Sequence, residues 1–243
     1  MVDIHCHILP DFDDGAANLD EALEMARMAY RSGVTDVAAT SHFMGTIEGL
    51  ERLPLMRQRY TELMLAIRKA DIPLRLHPGA EVLCTPQTPE LAHMGKLPTL
   101  GTGNYVLAEF FFDESFDFMD TMLADIAAEG YRIVVAHPER YGAVQHDPRL
   151  MQRWARLGYV LQMNKGSVLG AFGSSAKHTA NALLDLGVAH LFASDAHSYH
   201  SRTPHMSQIR QWVEGHCDER YAQILLERNP RRILEGRAIV GAD

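Results

Sequence analysis

Four stretches of the chain repeat one pattern: a helical stretch ends in glycine and is followed by a run of apolar and β-branched residues, in SGVTDVAAT, EGYRIVVAH, LGYVLQM and LGVAHLFAS. Gly33, Gly130, Gly158 and Gly187 fall just past each helix, where a left-handed backbone favours a residue without a side chain. The last three recur about every 28 residues, the length of one helix, one strand and two short loops. Together with the opening run, PLRLHPGAEVL and YVLAEFFF, the pattern predicts about seven strands, apolar throughout, as parallel strands covered on both faces are. Helices are predicted near Asn18 to Ser32, Glu51 to Ala70, Phe116 to Glu129, Pro148 to Leu157, Ser175 to Leu186, Pro204 to Gly215 and Glu219 to Arg228. The first opens N-L-D-E, with Asn18 as N-cap and Glu21 three residues on; NPRRIL reads as an Asn229 cap with Pro230 at the first helical position. The fold class is α/β, and with no linker or low-complexity tract we expect one domain over 1–243.

Composition narrows the partners. With 31 acidic and 23 basic residues the formal charge is -8, which argues against nucleic acid, whose phosphates demand basic surfaces. Three cysteines, Cys6, Cys84 and Cys217, are too few and too scattered for a disulfide framework or a thiolate zinc cluster, and they fit a reducing, cytoplasmic setting. No basic segment followed by an apolar stretch suggests a signal peptide, and no apolar run is long enough for stable membrane insertion. Oligomeric state stays open, homo-oligomers included.

The chemistry lies at the ends of the apolar runs. DIHCHILP places His5 and His7 two residues apart, so both project from one face of a strand. His42, Glu81, Glu109, His137, Asp195 and His197 each close a later run, and in α/β barrels functional groups come from the C-terminal strand ends. Imidazoles and carboxylates without thiolates suit manganese, iron or zinc in an open catalytic site. Counting Asp14, nine candidate ligands are too many for one ion and enough for two or three that share a bridging carboxylate. Ions about 3.5–4 Å apart can hold a hydroxide and clamp an in-line phosphoryl displacement. Arg140 and Arg202, a few residues beyond His137 and His197, could cradle the phosphate oxygens.

The pieces DIHCHILP with DDG, ATSHF, HPGAEV, VLAEF, AHPERY, QMNKGSVLG and SDAHSYHSRTP resemble the polymerase and histidinol phosphatase (PHP) superfamily, and within it the metal-dependent protein tyrosine phosphatases of bacterial capsule and exopolysaccharide clusters. The resemblance covers nearly the whole chain. It implies a distorted seven-stranded TIM-like barrel with three divalent ions, commonly Mn2+, with Fe or Zn as alternatives. It also implies His5, His7, Glu81 and Asp195 on one ion, Glu81 bridging to a second held by Glu109 and His137, and Asp14, His42 and His197 on the third. The implied substrate is the phosphotyrosine tail of the kinase that controls polysaccharide assembly. Ser198, where an Asn is common, and FMGTIEGL, where more histidines are expected, depart from the pattern.

Other readings compete. Asp11, Asp13 and Asp14 could all be turn residues, and the resemblance is what selects Asp14. Phe110, Phe111 and Phe112 read as core on a buried strand, although one of them, or Phe43, could line a slot for a phenyl ring. Asn164, Lys165 and Ser167 read either as a polar loop or as groups that orient ligands, while His77 and His200 lie nearest the motif ligands among the remaining histidines. The HC dipeptide at Cys6 lacks the arginine of a cysteine-phosphatase loop, since Phe12 stands where it is required. Histidinol phosphate or another small phosphomonoester is the alternative substrate, and a non-catalytic metal-binding scaffold the alternative of a different class.

Overall fold

The computed structural model describes residues 1–241; Ala242 and Asp243, the last two positions of the expected unit, lie outside the described residues. Nine strands are present among the described residues: β1 (Val2–Cys6), β2 (Asp36–Ala39), β3 (His42–Met44), β4 (Arg75–Pro78), β5 (Glu81–Leu83), β6 (Tyr105–Glu109), β7 (Arg132–Ala136), β8 (Val160–Asn164) and β9 (Leu191–Ala193). They derive from seven runs, because β2/β3 and β4/β5 are each one run broken in the middle, at Thr40–Ser41 and Gly79–Ala80. Gly79 allows its break: a Cβ there would stand 2.9 Å from Leu100 Cδ2 and 3.0 Å from Thr40 Cγ2.

All pairings are parallel, in sheets ordered β1-β2-β4 and β3-β5-β6-β7-β8-β9. The chain beyond β9 returns to β1, where Asp195 N donates to His5 O and His7 N to Ala196 O, both at 2.8 Å. Chain continuity through the two broken runs and this seam together trace the distorted barrel that the sequence implied.

Strand parity divides the core. Val2, Ile4, Ala38, Tyr105, Leu107, Val134, Ala136, Val160, Leu191 and Ala193 fill the barrel interior, and Ile233 and Leu234 join them there. The intervening residues, among them Val37, Val106, Val135, Leu161 and Phe192, pack outward with the helices through Met25, Leu63, Leu123, Trp154 and Leu183. At about 25 cal/mol per Å2, removing both faces of each strand from water is the main stabilising term. β1 breaks strict alternation: a register shift against β2 between Asp3 and Cys6 sends Cys6 to the outer core.

The expected helices form at Leu19–Arg31, Leu53–Lys69, Phe116–Ala128, Met151–Arg156, Gly173–Asp185, Ser207–His216 and Glu219–Gln223. Asn18 caps the first by accepting from Glu21 N at 2.9 Å, while Glu21 reaches back to Ala17 N. Gly33, Gly130, Gly158 and Gly187 all have positive φ. Four expectations need correction. The helix expected from Pro204 begins only at Ser207, because Lys165 Nζ holds the Thr203 and His205 carbonyls and Ser32 Oγ accepts from Met206 N. The one expected from Pro148 opens with a 3-10 turn before Met151. Asn229 is no cap: a π-helical turn over Ile224–Arg228 runs straight into Asn229–Leu234, and the Asn229 amide instead bonds His190 O and Val240. Of the three phenylalanines after Glu109, only Phe110 is core, since β6 ends before them and Phe111 and Phe112 are exposed.

Candidate metal centre

Moving up the barrel interior, the inward positions change from apolar to polar. β6 continues Tyr105, Leu107, Glu109; β8 runs Val160, Gln162, Asn164; β9 continues Leu191, Ala193, Asp195. His5 and His7 enter from β1, His42 from β3 and Glu81 from β5. His137 and Asp195 have positive φ, 32° and 49°, an uncommon backbone for residues other than glycine that turns both side chains at the strand ends.

All nine residues expected as ligands meet here. Their donor atoms form overlapping groups: His5, His7 and Glu81; His5, His137 and Asp195; His42, Glu81 and Glu109; and His7, Asp14, His42 and His197. Glu81 is the centre, with Oε1 3.1 Å from His5 Nε2 and 3.0 Å from His137 Nε2, and Oε2 3.2 Å from both His7 Nε2 and His42 Nδ1. Glu109 lies 3.4 Å from His42 and 3.6 Å from His137, and Asp14 3.5 Å from both His42 and His197. Two donors at about 2.1 Å from one cation, subtending 90–110°, stand about 3.0–3.4 Å apart, so these separations are those of co-ligands. The 3.3 Å approach of His5 Nε2 to His7 Nε2 has the same character, two ring nitrogens aimed at one space. Donor set and spacing both fit divalent cations.

Residues outside the expected set aim these ligands. Gln162 Oε1 accepts from His5 Nδ1 at 2.8 Å and Asp13 Oδ2 from His7 Nδ1 at 2.9 Å, which leaves each Nε2 as the basin-facing atom. Asp13 also accepts from the backbone N–H of His42 and of Gly15. The strand parity of Val160 and the charge of the DFDDG turn are the signals that point to Gln162 and Asp13. Asn164 proves to be an orienting group: its Nδ2 donates to Asp195 Oδ2 at 2.6 Å. Lys165 does not enter the site, being committed to the Thr203 and His205 carbonyls, where burial lowers its pKa to about 8. His77 is likewise outside, paired with Asp36 at 2.9 Å, and His200 is exposed beside Tyr199.

Asp195 divides its two oxygens. Oδ1 faces His5, His7 and His197 at 3.5–3.6 Å, whereas Oδ2 takes Asn164, Arg202 at 2.6 Å and Arg140 at 3.3 Å. Both expected arginines therefore stand at the edge of the basin. Arg140 also lies over the rings of Phe112 and Phe172, at 4.3 and 4.5 Å.

The electrostatics record how strongly the groups interact. Burial opposes charge on His5 and His7, but Glu81 and Asp195 raise the first to about 9, and Asp13 and Glu81 raise the second to about 10. Burial, His7 and Arg202 lower His197 to about 4. Despite burial, the surrounding histidines hold Glu81 well below the ordinary carboxylate range, and His5 and His137 lead in lowering Asp195. Cys6 is buried outside the basin with its thiol pushed well above its usual value, so it offers no thiolate.

A parallel barrel whose upper interior is a histidine–carboxylate basin defines a metal-dependent hydrolase type of site. Comparison with known proteins gives the family. The family model described as "Capsular polysaccharide synthesis, CpsB/CapC" matches residues 1–235, and the chain belongs to that family. It is 32% identical to tyrosine-protein phosphatase YwqE of Bacillus subtilis (strain 168), over 98% of this chain and 93% of that protein. It is 30% identical to tyrosine-protein phosphatase CpsB of Streptococcus pneumoniae, over 98% of this chain and all of that protein (100%). Among solved structures, one from a study of YwqE and CpsB as "unique metal-dependent tyrosine phosphatases" superposes with TM-score 0.90 at 31% identity, covering 99% of this chain and 97% of that one. The phosphotriesterase homology protein of Escherichia coli shares the fold, with TM-score 0.62 at 13% identity over 96% and 98% of the two chains. No helix among the described residues is long and apolar enough to cross a membrane.

Proposed function

We propose that this chain is a metal-dependent protein tyrosine phosphatase that acts on a tyrosine-phosphorylated kinase of capsule or exopolysaccharide assembly. The observation that carries the reading is the convergence of nine nitrogen and oxygen donors on one basin with two arginines sharing Asp195 at its edge. The family and the names of the similar phosphatases support it.

His5, His7, Glu81, Asp195, Glu109, His137, Asp14, His42 and His197 are the residues that would hold the ions, and Glu81, which meets four histidines, is the carboxylate they would share. Three divalent ions, Mn2+ foremost, match the size of the set. When bound, the cations supply Lewis acidity and make water a nucleophile at neutral pH. Arg140 and Arg202 bind the phosphoryl oxygens, with planar donors suited to two oxygens at once. Phe112, 44% exposed beside His137 and Arg140, offers an apolar wall for the phenyl ring. The oxygen of water bonds to phosphorus as the bond to the phenolic oxygen breaks, giving tyrosine and inorganic phosphate. Phenolate, with a pKa of about 10, leaves without a strong acid. His5 and His7 stay aimed because Gln162 and Asp13 hold their outer nitrogens.

The open mouth favours a protein substrate over a small enclosed one: Asp14 is 62% exposed, and Phe111 and Phe112 are exposed beside the ligand Glu109. Three free cysteines fit work in the reducing cytoplasm, with residues 1–243 as one unit. The test is turnover of a phosphotyrosine peptide against histidinol phosphate by the manganese-loaded chain. Peptide hydrolysis abolished by chelation and spared by thiol alkylation is expected; a hundredfold preference for histidinol phosphate overturns the substrate assignment.

A further inference from the structure

Neither arginine at the basin is held by ion pairing alone. Phe172, which the motifs did not mark, lies at the turn between β8 and the Gly173–Asp185 helix, and its ring is 4.5 Å from the Arg140 guanidinium carbon and 5.6 Å from that of Arg202. A guanidinium over an aromatic face is attracted by the ring quadrupole and keeps its plane parallel to a defined surface. The ring has little freedom of its own: it fills the hollow above Gly166, where a Cβ would come within 2.5 Å of Phe172 Cε2. The turn is closed by Ala171 N donating to Gly166 O at 2.7 Å, and Gly166 N is capped by Asn164 Oδ1 at 3.0 Å. Asn164 in turn donates to the same Asp195 oxygen that the arginines share.

Resting on the phosphatase reading above, we infer that Phe172 is a positioning residue: seated on Gly166, its ring sets both Arg140 and Arg202 at the spacing that grips one phosphoryl group. Asp195 cannot supply that spacing by itself, since an arginine that moves to phosphate leaves the carboxylate, whereas the ring remains beneath it. Gly166 is thereby explained as the space the ring requires rather than as a flexible point.

The test uses the full manganese-loaded chain with Phe172→Leu, Phe172→Tyr and Gly166→Ala. Two readouts bear on it: turnover of a phosphotyrosine peptide, and calorimetric binding of inorganic phosphate, which needs no turnover. Phe172→Leu is expected to weaken phosphate binding and raise KM about tenfold, with kcat within threefold and metal content unchanged. Phe172→Tyr is expected within twofold of the parent, and Gly166→Ala to reproduce Phe172→Leu by displacing the ring. In an Arg140→Gln, Arg202→Gln background, Phe172→Leu is expected to cost less than twofold more, because a group that acts through the arginines has nothing left to position. Unchanged phosphate affinity in both Phe172→Leu and Gly166→Ala overturns the inference, as does an undiminished tenfold loss in the arginine-free background. Phosphate binding that responds to Phe172 in a protein that hydrolyses no phosphotyrosine sinks the function proposed above and leaves this inference standing.

Discussion

The two ends of the barrel both bury carboxylates among cations, and they do so in opposite ways. At the N-terminal end, Asp36 receives Arg75 through Nε and Nη2 at 2.8 and 2.9 Å, His77 at 2.9 Å, Thr35 at 2.7 Å and Arg231 at 3.3 Å. Each oxygen is met by N–H or O–H donors, and the group is complete as it stands. At the C-terminal end the basin-facing imidazole nitrogens stand 3.0–3.6 Å from more than one carboxylate at once, and those of His5 and His7 from each other. Breaking a closed ion-pair cluster strands a buried charge, whereas a convergent one keeps free valence for a ligand it must share. The difference lies in geometry, not in residue type.

That contrast can be broken most severely at Asp195. Asp195→Ala or His5→Ala is expected to lower metal content and to cut kcat/KM by more than the roughly 10–100-fold that loss of an outer partner costs, read by elemental analysis and peptide turnover. Normal turnover in either variant contradicts the basin. Arg140→Gln is expected to lower kcat/KM roughly 10²–10³-fold while metal content stays at the parent level. Asp13→Ala and Gln162→Leu are expected to weaken metal affinity roughly 10–100-fold, measured by competition with a chelator.

Protons sharpen the same comparison. In the metal-free protein His5 and His7 are raised to about 9 and about 10, so their stabilising contribution is whole below the unfolded value of about 6.5 and is lost as pH rises through 9 and 10. Metal-free protein is expected to unfold more easily at pH 10 than at pH 7, and manganese uptake at pH 7 to release protons into a weakly buffered solution. Uptake without proton release contradicts the assignment. Asp36 runs the other way. Its carboxyl, disfavoured by burial but held low by His77, Arg75, Thr35 and Arg231, contributes above the unfolded value of about 3.8 and loses that contribution as pH falls. Asp36→Asn is expected to cost about 2–3 kcal/mol in chemical denaturation, with metal content and turnover unchanged.

Sequence periodicity reached the strands and most helices because their patterns are long: the glycine after each helix and the apolar run beyond it are strong local signals. Thr88–His93 and Gly142–His146 escaped because one or two turns carry no period. Eight of the nine candidate ligands were legible from their place at run ends, since that place is where a barrel gathers its side chains, while Asp14 was picked out of its Asp-rich turn by the family resemblance. Gln162 and Asp13 were not: strand parity and the charge of the turn place them near the site, but a neutral amide at a strand's midpoint and one aspartate among several do not by themselves mark a role. Their roles depend on which imidazole nitrogen they meet, a fact of three dimensions. Phe172 was hidden for the same reason: its partners, Arg140 and Arg202, lie 30 or so residues to either side.

The seam between β1 and the segment after β9 ties the beginning of the chain to its last fifth, and both sides of it supply donors, His5 and His7 from one and Asp195 and His197 from the other. During synthesis, therefore, a nascent fragment ending before Asp195 lacks two of the nine donors, and the groups that include Asp195 and His197 stay open. The full donor set is assembled only when this seam closes.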